Sequence, residues 1–284
     1  MATFDLFNVN VTPVVSRLGN TDFLPSLSAI YKINGSMNLR GAYSRTLNRP
    51  EFRELAPFDF TDVVGGRSII GTPDLVRARI QNYDARWEWF VSAAELVAVS
   101  YFFKSFKDPI ERVVEPTAAL RTSFRNAQGA RNQGVEMEVR KHLGRGFLIA
   151  SNYTFVDSEI ELRPEALNVA TSKKRPLAGQ SRHLFNGIVE YRHSGSGPLT
   201  RLLFNYIGSR IADVGAFGLP DILEDGYPQL DFLVNVPLGE SGWALKFSAE
   251  NLLDREKRFS QGGLPHRVFR DGRTFKAGLA MSFF

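Results

Sequence analysis

The chain has 284 residues, of which 43% are hydrophobic, and this is enough for a packed core without deciding a fold. It contains no cysteine, which excludes a disulfide scaffold and thiolate metal sites. Its formal charge of +5 comes from basic residues interleaved with acids, so we expect no nucleic-acid partner. With 23 phenylalanines and 8 tyrosines, the composition favours β-strands.

About 12 strands are predicted from apolar and polar residues that alternate along the chain. They cover residues 7–12, 23–33, 37–44, 82–89, 97–103, 134–140, 147–155, 182–192, 202–206, 229–236, 243–250 and 275–283. No window approaches about 18 consecutive apolar residues, so we expect no membrane helix. The last strand has the clearest pattern, since alternate positions carry Phe275, Ala277, Leu279, Met281 and Phe283.

The predicted connections alternate between short turns and long loops. Short turns lie near residues 34, 92, 143, 195 and 239, and the loops cover 45–80, 107–132, 158–179, 211–226 and 252–273. Outer-membrane barrels have short turns at one end and long loops at the other, whereas a Greek-key sandwich does not sort its connections. The order of the connections therefore favours an antiparallel up-and-down transmembrane β-barrel over a sandwich.

The length and charge of the strands agree with a membrane barrel. A strand of about ten residues tilted by about 40° climbs roughly 25 Å, which is the height of the apolar band of such barrels. Charges of both signs occur at mid-strand on the polar face, as at Arg86 and Glu88, and they fit a wet lumen. Aromatic residues near the strand ends suit interfacial girdles. We therefore predict an all-β fold whose apolar face contacts lipid.

Several short motifs follow one another along the chain: Ser44-Arg45-Thr46 with Asn48-Arg49-Pro50-Glu51-Phe52, Asn82-Tyr83-Asp84 with Trp87-Glu88-Trp89, Gly134-Val135-Glu136-Met137-Glu138, Asn152-Tyr153-Thr154, Glu250-Asn251-Leu252-Leu253-Asp254 and Gly272-Arg273-Thr274-Phe275. In this order they resemble the C-terminal part of a TonB-dependent outer-membrane receptor. The specificity of the resemblance lies in the shared order of the motifs. The resemblance covers nearly the whole chain.

The resemblance implies the C-terminal part of a 22-stranded barrel that encloses a plug domain. Residues 1–284 are then a barrel segment in the bacterial outer membrane, and neither a plug domain nor a signal peptide is expected within them. The implied function is energised uptake of a scarce solute, such as a metal chelate or an oligosaccharide. The implied partners are outer-membrane lipid, a TonB-type energy-coupling protein acting through the plug region, the barrel-assembly machinery and the small-solute ligand.

The candidate substrate contacts are charged residues in the first long loop and on the polar strand face. They are Arg49, Glu51, Arg86, Glu88, Glu136, Glu138 and Arg140. For the first two, a role in the conformation of the loop is the competing interpretation. For the others, the competing interpretation is cross-strand pairing in a wet lumen.

The final strand carries a second kind of candidate site. In the family, a terminal aromatic residue and a glycine several residues before it resemble the signal read by the barrel-assembly machinery. The matching residues are Gly278, Met281, Phe283 and Phe284. Simple contact with lipid is the competing interpretation for these side chains.

No catalytic, cofactor or metal site is predicted. The four histidines, His142, His183, His193 and His266, share no metal-like spacing. Ser181 and His183 are the nearest approach to a nucleophile and base, but they lack an orienting third group. Two alternatives remain open at this point: a self-contained 12-stranded outer-membrane pore or barrel enzyme, and a soluble β-sandwich binding module.

Overall fold

The computed structural model of the chain describes residues 16, 19–61, 68–115, 121–193, 197–239 and 242–282. The strand predicted over residues 7–12 lies outside these ranges. The described strands, in chain order, are β1 (Ser26–Lys32), β2 (Met37–Asn48), β3 (Asp59–Phe60), β4 (Ile69–Ile70), β5 (Ala78–Ser92), β6 (Glu95–Lys107), β7 (Ile110–Val114), β8 (Thr122–Asn126), β9 (Gly129–Gly144), β10 (Phe147–Glu161), β11 (Lys174–Arg175), β12 (His183–Arg192), β13 (Leu199–Ile207), β14 (Arg210–Asp213), β15 (Ile222–Glu224), β16 (Tyr227–Pro237), β17 (Trp243–Glu250), β18 (Lys257–Gln261), β19 (Leu264–Phe269) and β20 (Thr274–Met281). Two short helices, α1 (Phe52–Leu55) and a 3₁₀ turn (Pro164–Asn168), lie in the connections.

A 12-stranded antiparallel sheet forms the body of the molecule. Its strands follow one path in the order β1-β2-β5-β6-β9-β10-β12-β13-β16-β17-β20, and β11 pairs with the end of β10. Consecutive long strands are neighbours throughout, so the up-and-down order predicted from the sequence is confirmed. The strand ends that flank the predicted short turns lie at one end of this sheet, and the strand ends that flank the long loops lie at the other.

The long strands extend beyond the alternating segments that predicted them. β5 and β10 have 15 residues and β9 has 16. Most of the extra residues, including 129–133 of β9 and 156–161 of β10, lie at the long-loop end, where polar side chains hide the alternation but the backbone ladder continues. β5 and β9 also extend by three and four residues at the short-turn end. The true length of each strand is set by its hydrogen bonds to neighbouring strands. The periodicity of the side chains does not show these bonds.

The two faces of the sheet differ as predicted. One face carries large apolar side chains that remain exposed, including Tyr101 at 46% and Met137 at 51%. The opposite face carries the charged residues Arg86, Glu88 and Glu138. Since the described residues do not cover the apolar face, the alternative of a sandwich with aromatics buried between two layers is excluded.

Two smaller sheets form within the long loops. One has the order β3-β4-β8-β7 and packs around Leu55, Ile69, Leu75 and Phe124. The other has the order β14-β15-β18-β19 and contains the buried Phe259. The sequence predicts loops for these segments, because runs of two to six residues are too short to show a period.

The path of the main sheet is open within the described residues. None of these residues pairs with the outer edge of β1 or of β20. Large apolar groups are exposed on both terminal strands, with Leu27 at 71% and Phe275 at 70%. Among the described residues no helix has the length and apolar composition needed to cross a bilayer.

The open path predicts unequal protection of backbone amides. In hydrogen-exchange mass spectrometry of the chain in detergent, about half of the β20 amides should exchange rapidly, because alternate N–H groups of an edge strand lack partners. Amides of β10, which has strands on both sides, should stay protected. Equal protection of β10 and β20 would show a self-contained closed barrel instead.

A close contact at Gly134 predicts a specific sensitivity to added volume. A Cβ there would lie against the carbonyl oxygen of Phe155 and 2.5 Å from Cζ of Phe102, whereas a Cβ at Gly41 meets nothing within 4 Å. Gly134→Ala should therefore lower the free energy of unfolding by about 1–3 kcal/mol. Gly41→Ala is the matched control and should be neutral or slightly stabilising. Urea unfolding in detergent, followed by tryptophan emission, measures both, and equal effects would contradict the packing argument.

Candidate ligand-binding site

Charged side chains of β2, β5 and β9 meet on the polar face of the main sheet, across the intervening strand β6. Glu88 accepts hydrogen bonds from Arg40 Nε at 2.7 Å and from Arg86 Nε at 2.9 Å. Arg86 Nη2 also donates to Glu138 Oε2 at 2.8 Å, and its Nη1 donates to Ser100 Oγ at 3.0 Å. Glu88 is only 7% exposed. This network fixes β2, β5, β6 and β9 relative to one another.

The structure thus brings together three of the five predicted polar-face residues. Glu136 lies on the same face but outside the network, where it lines a cavity of about 510 Å³ with Asp84 and Lys104. Arg140 pairs in register with Leu96, near the short-turn end, and is exposed. The network also includes Arg40, which was not among the sequence candidates.

The two candidates in the first long loop lie beyond the end of β2. Glu51 is the N-cap of α1 and forms a reciprocal capping box with Glu54, whose Oε2 accepts from the Glu51 backbone N–H at 2.9 Å. Arg49 is exposed. No hydrogen bond or ion pair among the described residues joins Arg49 or Glu51 to the polar-face network, and the capping contact favours a conformational role for Glu51.

The larger of the charged cavities opens among the long loops. It has a volume of about 560 Å³ and lies between the connections that follow β10 and β13. Four of its lining side chains are cationic and one is a carboxylate: Lys174, Arg175, Arg182, Arg210 and Asp221. Its lining also includes Tyr206 and His183. We call this space the loop cavity.

Most charges in the loop cavity already have partners. Arg210 pairs with Glu224 at 2.7 Å, and Arg182 pairs loosely with Asp157 at 3.7 Å. Asp221 accepts hydrogen bonds from Ser172 and from a backbone N–H. Lys174 is exposed and has no carboxylate within 4 Å among the described residues. The exposed ammonium is therefore the cation most available to a ligand.

A buried ion pair anchors one wall of the loop cavity. Arg175 Nη2 lies 2.7 Å from Glu111 Oε1, and the two side chains are 4% and 6% exposed. Burial raises the pKa of the Glu111 carboxyl, and the Arg175 guanidinium opposes that shift. Glu111 belongs to the loop after β6 and Arg175 to the loop after β10, so the pair ties two long loops together.

The sequence pattern does not predict the loop cavity. The one local signal was the basic run Lys173-Lys174-Arg175 inside a predicted long loop. Its partner Glu111 lies 64 positions earlier, and nothing in the sequence links the two. Only the spatial arrangement of the loops brings them together.

The residues considered for catalysis do not form a catalytic arrangement. The Ser181 hydroxyl donates to the backbone carbonyl of His183 at 2.9 Å, not to its imidazole. The His183 ring instead lies 2.8 Å from the Tyr153 hydroxyl. Within the described residues no three His, Asp or Glu side chains form a group that could hold a metal ion.

The structure describes two of the four candidate assembly residues. Gly278 lies within β20, and Met281 ends it with 41% of its surface exposed. Phe283 and Phe284 lie outside the described residues. The structure therefore locates the terminal strand at the edge of the sheet without testing the assembly role.

Comparison with known proteins agrees with this architecture. A family model described as TonB dependent receptor-like, beta-barrel matches residues 3–252. An iron-regulated outer membrane virulence protein of Vibrio cholerae is 25% identical over 271 residues, which cover 92% of this chain and 39% of that protein. The chain thus spans about two fifths of the length of that relative.

Solved structures show the same fold. A ferric enterobactin receptor mutant of Pseudomonas aeruginosa in complex with enterobactin aligns with a TM-score of 0.66 and 16% identity, covering 92% of this chain and 41% of that one. The siderophore receptor PirA from Acinetobacter baumannii aligns with a TM-score of 0.64 and 15% identity, with the same coverage. Together with the family match over most of its length, this shows that the chain belongs to the TonB-dependent receptor-like β-barrel family and that its strands lie in the outer membrane.

Proposed function

We propose that the chain is the C-terminal barrel segment of an outer-membrane receptor that takes up an anionic ferric chelate. The relative from Vibrio cholerae is named as iron-regulated, and of the two similar solved structures one is named as a ferric enterobactin receptor and the other as a siderophore receptor. In this proposal the chelate binds in the loop cavity and passes through the barrel when a TonB-type protein acts on a plug domain. The chain acts as a transporter, with no enzymatic step.

The charge of the loop cavity is the observation that carries the proposal. Four cationic side chains and one carboxylate line it; three of the cations are paired with carboxylates, and the exposed Lys174 ammonium has none within 4 Å among the described residues. An oligosaccharide site would be expected to offer several aromatic faces for stacking, whereas Tyr206 is the single aromatic residue besides His183 in the lining. The lining thus favours an anionic chelate over a neutral sugar.

The polar-face network supplies a surface for the plug domain in this proposal. Arg40, Glu88, Arg86 and Glu138 are paired with one another, so the wall presents a rigid polar surface without an unpaired buried charge. A plug domain that moves along this wall contacts side chains whose hydrogen bonds are already made within the wall. Recognition of β20 by the barrel-assembly machinery is a further part of the proposal.

Charge reversal at the loop cavity tests ligand binding. Lys174→Glu should weaken binding of ferric enterobactin roughly 5-fold, because an available cation becomes an anion, and added salt should shrink the difference. Lys173→Glu is the matched control, since Lys173 is an exposed neighbour that does not line the cavity. Quenching of tryptophan emission on the purified chain in detergent gives both affinities. An equal loss in both variants would mean that general surface charge, not the loop cavity, governs binding.

Uptake is tested in a chimera. The chain is joined to the N-terminal part of the Vibrio cholerae relative and expressed in a receptor-deficient, iron-starved host. We expect growth on ferric enterobactin that requires a functional energy-coupling protein and falls with Lys174→Glu. Growth that persists without energy coupling would indicate an open pore and would contradict the proposed function.

The buried pair Glu111–Arg175 predicts strong coupling between two loops. Glu111→Gln or Arg175→Met alone should destabilise the packing of β7 by about 3–5 kcal/mol, since each leaves a buried polar partner uncompensated. The double variant should lose less than the sum of the two single changes. Amide exchange of β7 measures these losses, and simple additivity would show that the pair does not hold the loops together.

A further inference from the structure

An apolar groove lies between the β7–β8 hairpin and the loop that follows β10. It consists of a cavity of about 260 Å³ and a narrower slot of about 30 Å³, which share the lining residues Val113, Arg125, Leu162 and Ala166. Leu162 is buried, and Val113 and Ala166 are half-buried. We call this space the hairpin groove. Its volume lies near the lower limit of small-molecule sites, about 300 Å³, so it fits a small ligand and not a helix of a partner protein.

The hairpin groove and the loop cavity are separate spaces. Arg175 is the one residue that lines both, and its side chain is buried in the ion pair with Glu111, so this pair stands between them. The slot of the groove is closed on one side by backbone pairing, because Ala170 and Ala216, which both line it, form an antiparallel bridge. A ligand can therefore occupy the hairpin groove whether or not the loop cavity is filled.

Most polar side chains of the hairpin groove already have partners. Arg163 Nη2 lies 2.7 Å from Asp108 Oδ1. Asn126 Nδ2 donates to two backbone carbonyls at 2.8 Å. The Glu111 carboxylate is paired with Arg175. These groups therefore add no net charge to the groove and leave no strong demand for a further partner.

Arg125 is the uncompensated charge of the hairpin groove. It lies directly opposite Glu111 in the register of β7 and β8, so the two side chains share a face. The Glu111 carboxylate is nevertheless occupied by Arg175. Arg125 is exposed, and its guanidinium has no carboxylate within 4 Å among the described residues. The groove thus offers one available positive charge beside an apolar surface.

We propose that the hairpin groove binds a medium-chain alkyl carboxylate, whose carboxylate pairs with Arg125 and whose chain lies on Val113, Leu162 and Ala166. One available guanidinium matches one negative charge, and its parallel N–H groups match the two oxygens of a carboxylate. No aromatic side chain of the described residues lines the groove, so an alkyl chain fits it better than an aromatic ring. Burial of the methylene groups stabilises the complex. This site does not depend on which solute the receptor takes up.

The first test removes the available charge. Binding of octanoate to the full chain in amphipol, which leaves no free micelles to absorb the ligand, is followed by saturation-transfer NMR. Arg125→Gln should weaken binding about 10-fold, because the charge-assisted hydrogen bonds to the carboxylate are lost. Arg255→Gln is the matched control, since Arg255 is an exposed cation that does not line the groove, and it should change the affinity less than about 2-fold. Equal losses in the two variants would overturn the proposal.

The second test varies the ligand and needs no variant of the protein. Butanoate should bind the unaltered chain at least about 10-fold more weakly than octanoate, because four fewer methylene groups are buried. Octylammonium has the same chain as octanoate and the opposite charge, and it should also bind at least about 10-fold more weakly because it meets the Arg125 cation. If either compound bound as tightly as octanoate, the proposal would be wrong.

The third test separates the hairpin groove from the loop cavity. Lys174→Glu changes the charge of the loop cavity, and at about 0.15 M salt it should leave the affinity for octanoate within about 2-fold of the unaltered chain. If octanoate lost as much affinity in Lys174→Glu as in Arg125→Gln, it would bind in the loop cavity, and the assignment of the groove would be overturned.

Discussion

The structure depends on one constraint: inside lipid, each backbone N–H and C=O must find its partner within the protein. This explains why β5, β6, β9 and β10 keep their register over a dozen or more residues, with irregularities confined to the turns. Apolar side chains can then occupy one face of the sheet and polar side chains the other, without a second layer of protein packed on the apolar face. Aromatic groups contact acyl chains, and paired charges surround water.

The same constraint decides how much the sequence could reveal. Lipid on one face and water on the other force apolar and polar residues to alternate along each strand, and this alternation can be read from the sequence. The main strands, their order and the sorting of turns and loops were therefore predictable. The motifs around Ser44, Asn82 and Glu250 added the family. Strand length was underestimated because the ladder at the long-loop end continues past the apolar band, where side chains of either face are polar.

The candidate site was predictable only in part, for a physical reason. Arg86, Glu88 and Glu138 could be found because charges of both signs stand at mid-strand on the polar side of the alternation. Arg40 completes their network, but it is a single charge between the neutral Asn38 and Ala42 of its face. The loop cavity depends on tertiary packing between segments far apart in the sequence, as with Glu111 and Arg175. No periodicity encodes a contact of that kind.

The sheets within the long loops have a consequence for how such a receptor changes over evolutionary time. β14 and β15 come from one loop, β18 and β19 from another, and the two hairpins share a ladder in which Leu223 is paired with Ser260. The loops after β2 and β6 are also joined, by a parallel pairing of Ile69 in β4 with Thr122 in β8. Insertions or deletions in one loop must therefore be matched in its companion, so these segments should diverge in pairs while the wall beneath them stays constant.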